Sequence, residues 1–296
     1  MFKGSITALI TPFTETGDVD YNAYQKFVDW QIKQGTHGLI PVGTTGESPT
    51  LTHDEHKKVV SACIEAAAGR VPVIAGAGSN ATAEAIEFSK YAEKAGADGL
   101  LIVAPYYNKP SQEGLYQHFK AINDAVDTPI VMYNIPGRSV IEISTATMKR
   151  LFDDCKNIVG VKDATGDLER VALQRQHIGS DFIQLSGEDA TAVGFNAMGG
   201  QGAMSVTSNI APALCSKMQT ACLEGDYKVA LEYQDKLIGL HTAMFMEPSP
   251  AAAKYTAERL GICRRDVRMP LQPLTRGGQD IVDGLIEELG LTGPDA

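Results

Sequence analysis

At 296 residues the chain is long for one average domain but ordinary for a single α/β barrel, which often uses about 250 residues. With 44% apolar and 21% charged residues it can bury a core of normal size. A formal charge of −10 and a pI near 5.1 argue against nucleic acid or an anionic membrane surface as the main partner.

The N-terminal "MFKGSITALITPF" has no charged region leading into a long apolar stretch and a small-residue cleavage site, so 5–13 reads as a strand rather than a signal peptide. A helical pattern follows in "YNAYQKFVDWQIKQG". Short apolar runs then recur at 38–43, 71–78, 99–107, 129–136, 158–166, 182–189 and 202–209, eight in all with the first. Helix-like segments such as "HDEHKKVVSACIEAAAG", "ATAEAIEFSKYAEKAG" and "SQEGLYQHFKAINDAV" separate them. Several begin at Thr or Ser and end at Gly, as capping requires. The runs are nearly continuous in apolar residues, which suits strands buried on both faces of a parallel sheet. Eight such units predict a (β/α)8 TIM barrel over 1–225, in preference to an open doubly wound sheet. After residue 210 the strand signals stop, and 226–296 reads as a C-terminal helical extension. No run reaches the roughly 18 uncharged apolar residues of a membrane span.

In a barrel of this kind the chemistry sits at the C-terminal ends of the strands. That rule singles out Thr44 and Thr45, Tyr106 and Tyr107, Tyr133, Arg138, Lys162, Gly187 and Glu188. Lys162 ends the run Ile158-Val159-Gly160-Val161, where a charge is unexpected unless it faces a cavity. Desolvation disfavours an ammonium and leaves an amine able to attack a ketone, the requirement of Schiff-base chemistry. The competing readings are a lysine that snorkels to solvent or one that pairs with Asp163. Lys109, in the polar "YYNKP" loop, is a rival with no reason to be desolvated. Tyr133 suits proton relay if other hydroxyls such as that of Thr44 bond to it; a core tyrosine and a turn threonine are the alternatives. Arg138 has the fork geometry for a carboxylate, and a surface arginine is its alternative. His53 and His56 share a helix face, but no third ligand stands near them in sequence. The five cysteines are odd in number and scattered, without zinc spacing, so a reducing cytoplasm and no metal or other cofactor are expected. "GTTGES" (43–48) lacks the lysine of a phosphate loop, and no G-x-S-x-G elbow occurs.

"GTTGES", "YNIPGRS" (133–139) and "GVKDATG" (160–166) together resemble the dihydrodipicolinate synthase family of pyruvate-dependent class I aldolases and lyases. The likeness runs from "GSITALITPF" through "LSGEDA" and "GAMSVTSN" to "EPSPAAAKYTAERLG". It implies condensation of pyruvate, held as an imine on Lys162, with L-aspartate 4-semialdehyde on the diaminopimelate route to lysine. In that reading Tyr133, Thr44 and Tyr107 form the proton relay, with Tyr107 reaching in from a neighbouring subunit. Thr45 and the Gly187 backbone orient the pyruvate carboxylate, Arg138 holds the semialdehyde carboxylate, and Met204 shapes the site. The resemblance also implies feedback inhibition by L-lysine through Ser48, His53, His56, Asn80, Glu84 and Tyr106, with Pro49 where alanine is usual, and a homotetramer built as a dimer of dimers. The alternatives are an N-acetylneuraminate lyase or keto-deoxy sugar-acid aldolase, which share the lysine and tyrosine. The neuraminate lyases have Ser-Thr at 44–45 and lack an arginine matching Arg138. A third reading is a non-catalytic sensor on the same barrel.

Overall fold

The computed structural model describes residues 1–294, so the last two residues of the predicted extension lie outside the described residues. Eight parallel strands carry the fold: β1 (Gly4–Ala8), β2 (Gly38–Ile40), β3 (Ile74–Gly76), β4 (Gly99–Val103), β5 (Ile130–Asn134), β6 (Ile158–Asp163), β7 (Ile183–Ser186) and β8 (Gly202–Ser205). Their order is β2-β1-β8-β7-β6-β5-β4-β3. A parallel bridge between Leu39 and Val73 joins the two ends, backed by Leu39 N donating to Pro72 O at 3.0 Å. The sheet therefore closes into the expected (β/α)8 barrel, and the open-sheet alternative is excluded.

The strands are shorter than the apolar runs that announced them. β2 stops at Ile40 because Pro41 has no N–H to give the ladder. The Pro41 carbonyl still accepts from Gly76 N at 3.0 Å, so the chain stays close to β3 without being strand. Elsewhere the run continues into buried mouth loops, such as Leu9–Phe13 after β1.

Between the strands lie α1 (Tyr21–Lys33), α2 (His53–Ala67), α3 (Thr82–Ala95), α4 (Gln112–Asn123), α5 (Pro136–Ser139), α6 (Thr145–Asp154), α7 (Glu169–His177) and α8 (Ala192–Ala197). The caps follow residue chemistry. Thr52 accepts from Glu55 N while the Glu55 side chain accepts from Thr52 N, a reciprocal box that starts α2. Gly96, at φ +94°, ends α3 in the left-handed conformation.

Strand alternation divides the apolar side chains into two cores. Ile6, Ile40, Ile74, Leu101, Val131, Tyr133, Leu185 and Met204 fill the barrel interior. Leu39, Leu100, Ile102, Ile130, Met132 and Val161 face outward to the helices. Beyond β8, α9 (Pro212–Glu224) packs beside β1, and α10 (Tyr227–Ala243), α11 (Ala251–Arg259) and α12 (Arg276–Leu289) follow. α10 buries Leu237 and Leu240 completely, each contributing about 1.5–3 kcal/mol of burial. Its His241 Nδ1 lies 2.8 Å from Thr207 Oγ1, and Gln234 donates to Ala190 O at 3.1 Å. The extension thus seats on the loops that follow β7 and β8. Among the described residues no helix is long and apolar enough to cross a membrane.

Candidate active site

Lys162 and Asp163 are neighbours in sequence and opposite in fate. A strand has a period of two, so consecutive side chains leave opposite faces. Asp163 points out of the barrel, where it accepts from Arg170 Nε at 2.9 Å, Gln174 Nε2 at 3.2 Å, and the amide and hydroxyl of Thr165 at 3.0 and 2.6 Å. Lys162 points inward and is 5% exposed. The pairing with Asp163 is therefore excluded, and among the described residues Lys162 has no ion-pair partner within 4.0 Å. Snorkelling is excluded by its burial.

Tyr133 on β5 is the cross-strand partner of Lys162 on β6, and the two enter the interior side by side. The Lys162 Nζ lies 4.1 Å from the centroid of the Tyr133 ring. Gly187, just after β7, forms the third wall. A methyl group there would sit 3.1 Å from Lys162 Cε and 2.6 Å from Ala164 Cβ, so only glycine leaves the lysine room. Met204 on β8 is buried in the same interior cluster. Lys109, by contrast, is exposed on its loop, which removes the rival lysine.

The loop after β2 carries the two threonines. Val42 (φ +50°) and Glu47 (φ +58°) bracket it in the left-handed region, a costly conformation for any residue with a Cβ and worst for a β-branched one. Strain of this kind costs on the order of 1–3 kcal/mol per residue and persists only where the surroundings over-determine it. One such constraint is Gly76, where a methyl group would lie 2.4 Å from Val42 O. Inside the bracket, Gly46 N donates to Gly43 O and Glu47 N to Thr44 O, both at 3.1 Å, while Thr11 Oγ1 donates to Gly46 O at 2.7 Å. Thr45 is buried and Thr44 half-buried.

Tyr107 stands apart. It is 89% exposed and held at φ +73°, its ring projecting away from its own chain. Among the described residues no hydrogen bond joins the hydroxyls of Thr44, Tyr107 and Tyr133, so one chain by itself does not assemble the expected relay.

Arg138 lies on the four-residue α5, exposed at the mouth. Its charge reaches Glu188, whose carboxyl is raised above the ordinary range by burial first and by Asp189 second, with Lys162 and Arg138 opposing. Glu188 is a strand-end residue to which the sequence reading assigned no role.

Of the six residues expected to bind an effector, His53 of α2, Asn80 and Glu84 at the start of α3, and Tyr106 in the loop after β4 lie against one another, while Ser48 makes no hydrogen bond with them among the described residues. His53 Nε2 lies 2.7 Å from Glu84 Oε1, and Ser79 also donates to the Glu84 carboxylate. Asn80 Nδ2 donates to Tyr106 O at 3.1 Å, and burial followed by the Glu84 charge pushes the Tyr106 phenol up. His56 is not on a solvated helix face. It is buried, its Nε2–H donates to Gly76 O at 2.8 Å, and its ring stacks on Phe88 at 4.0 Å and 1°. Burial lowers its pKa from 6.5 to about 4, so it is neutral. His53 meets the same ring edge-on at 5.0 Å. Ser79 and Phe88 were missed from sequence. Phe88 lies four residues after Glu84 on α3, a spacing that places both on one face.

A closed (β/α)8 barrel with a buried, unpaired lysine at the inner end of β6 defines the class: a barrel enzyme with its reacting groups at the strands' C-terminal ends. The family model described as "Dihydrodipicolinate synthetase family" matches residues 1–289. A protein of Parvibaculum lavamentivorans named 4-hydroxy-tetrahydrodipicolinate synthase is 61% identical over 291 residues, covering 98% of this chain and 99% of that one. The dihydrodipicolinate synthase of Acinetobacter baumannii, solved with pyruvate, superposes with a TM-score of 0.96 at 40% identity, covering 98% of this chain and 100% of that one. The enzyme of Cyanidioschyzon merolae, solved with lysine bound, gives 0.94 at 38% identity over 98% of each. The chain belongs to the dihydrodipicolinate synthetase family.

Proposed function

We propose that the protein is a lyase that condenses pyruvate with L-aspartate 4-semialdehyde, the activity named for its relatives. The observation that carries the reading is the buried Lys162 beside Tyr133, with Gly187 keeping the space next to its Cε open. The Lys162 amine attacks the pyruvate ketone, water leaves, and an imine forms. The imine withdraws electrons, so the methyl group gives up a proton to yield an enamine, and the enamine carbon attacks the aldehyde. Tyr133 and Thr44 carry the protons. Thr45 and the Gly187 amide orient the pyruvate carboxylate, and Met204 shapes the wall.

Arg138 binds the semialdehyde carboxylate at the mouth, where it and Lys162 set the local positive charge against Glu188. Tyr107 acts across a dimer interface. Its 89% exposure and left-handed backbone are what a side chain presented to a second copy would have. The full assembly in this reading is a homotetramer in the cytoplasm. The cluster of His53, Glu84, Asn80 and Tyr106, together with Ser48 and His56, binds L-lysine as a feedback inhibitor, with Glu84 taking the α-amino group. Residues 226–296 are read as a helical extension distinct from the 1–225 barrel.

Incubation with pyruvate, reduction by borohydride and mapping by mass spectrometry tests the mechanism. The mass gain is expected on Lys162, and a gain on another lysine or none would overturn it. Turnover of the semialdehyde, with none of sialic acid, is the expected substrate preference.

A further inference from the structure

Glu47 ends the GTTGE run, and its carboxylate is taken up by the C-terminal extension. It is 2% exposed and pairs with Lys254 on α11, which is completely buried, at 2.6 Å. Lys254 also donates to Asp266 O at 2.6 Å and lies 3.7 Å from the Phe13 ring centroid. Burial pushes the Lys254 ammonium down, and the Glu47 charge opposes the shift. The second Glu47 oxygen accepts from Arg268 N at 2.8 Å, while the Arg268 guanidinium donates to Thr50 O at 2.7 Å and pairs with Glu55 at 2.6 Å. Two segments of the C-terminal extension thus hold one short loop on the barrel.

An ion pair this deeply buried is a poor device for stability. Desolvation offsets most of its attraction, and apolar residues of similar volume often do as well or better. Its geometric effect is larger. Glu47 sits at φ +58° and donates its amide to Thr44 O, so whatever fixes Glu47 also fixes the turn that carries Thr44 and Thr45. Gly76 constrains the Val42 end of the loop, and the buried pair constrains the other end.

We propose that Glu47 and Lys254 are positioning residues, a latch through which the C-terminal extension holds Thr44 and Thr45 in place for the reaction. The inference rests on the activity proposed above, and neither residue touches substrate. Removing the pair should therefore impair the chemical step more than the fold.

The test uses the full chain and the double variant Glu47→Gln/Lys254→Met, which leaves no unpaired buried charge. The measurements are melting temperature, borohydride trapping of pyruvate on Lys162, and kcat and KM per trapped site, each with and without Thr44→Val. The double variant should melt within ~3 °C of wild type and still trap pyruvate on Lys162. Its kcat per trapped site should fall about tenfold or more, and adding Thr44→Val should lower it less than about twofold further, because the two changes act on one group. Unchanged turnover per trapped site overturns the proposal. So does a Thr44→Val effect that multiplies in full, or a double variant that fails to fold, which would make the pair a determinant of the fold. A wild-type chain that traps no pyruvate on Lys162 overturns the activity reading and the latch with it, an outcome distinct from the others.

Discussion

Gly187 faces the side chain of Lys162, and its missing Cβ leaves the space beside Lys162 Cε open. An alanine there would meet Ala164 Cβ at 2.6 Å and Lys162 Cε at 3.1 Å. The first contact is far too short for carbon atoms and only a backbone shift relieves it, while the second also presses on the lysine. Gly187→Ala is expected to cost about 1–3 kcal/mol of stability by overpacking and to slow pyruvate trapping on Lys162 by about tenfold. Trapping at the wild-type rate would show that the amine does not need this space. Residue chemistry by itself marked Lys162 as unusual, since a charge at the end of an apolar strand needs a reason. It left open whether the charge turns inward or pairs with Asp163. Two-residue alternation says only that 162 and 163 face opposite ways; the closed sheet decides which of them is inside. The register shift between Ile130 and Val131, where β5 meets β6, has no sequence signature that we find.

At the scale of elements, α2 and α3 are joined through side chains of the proposed effector site. His56 of α2 is neutral because burial lowers its pKa to about 4, and burial does the same to His118 of α4. Both folded values lie below the ordinary 6.5, so the unfolded chain binds protons that the folded chain refuses. Stability is therefore full above about pH 6.5, falls as pH drops towards 4, and loses no more to these groups below that. Each accounts for up to roughly 3 kcal/mol of that loss. Urea unfolding of His56→Gln across this window should show a shallower pH slope than wild type. Equal slopes would mean that His56 is not buried neutral.

The same residues carry the proposed regulation. Glu84→Ala removes the carboxylate that His53 and Ser79 address, so L-lysine inhibition should disappear while uninhibited turnover stays within about twofold. Undiminished inhibition in a steady-state titration would remove the effector from this cluster. The helix-face pattern of His53 and His56 was legible in the sequence. Their different burial was not, because it depends on Phe88 and Gly76 arriving from the next βα unit.

For the whole molecule, the loss of strand signals after residue 210 suggested a boundary at 225/226, and the packing argues that the two parts do not separate. α10 buries Leu237 and Leu240, while α11 supplies Lys254. A chain truncated after residue 225 exposes the apolar surfaces those helices cover. It also removes Lys254 and Arg268, the partners that hold the Glu47 carboxylate. It is expected to aggregate or to lose its cooperative transition, as judged by circular dichroism melting and size-exclusion chromatography. A cooperatively melting 1–225 fragment would show instead that the barrel stands alone.

What the sequence determined by itself is what local pattern can encode. Eight apolar runs with helical segments between them specify a parallel α/β barrel, since strands buried on both faces need no alternation. Capping residues mark where helices start, and GTTGES, YNIPGRS and GVKDATG place the candidate site at strand ends. Tertiary structure decided the rest. It turned Lys162 inward, exposed Tyr107, buried His56 and joined Glu47 to Lys254 across most of the chain. A buried ion pair between residues so far apart leaves no periodic trace, because each partner looks like an ordinary surface charge until the fold removes water from both.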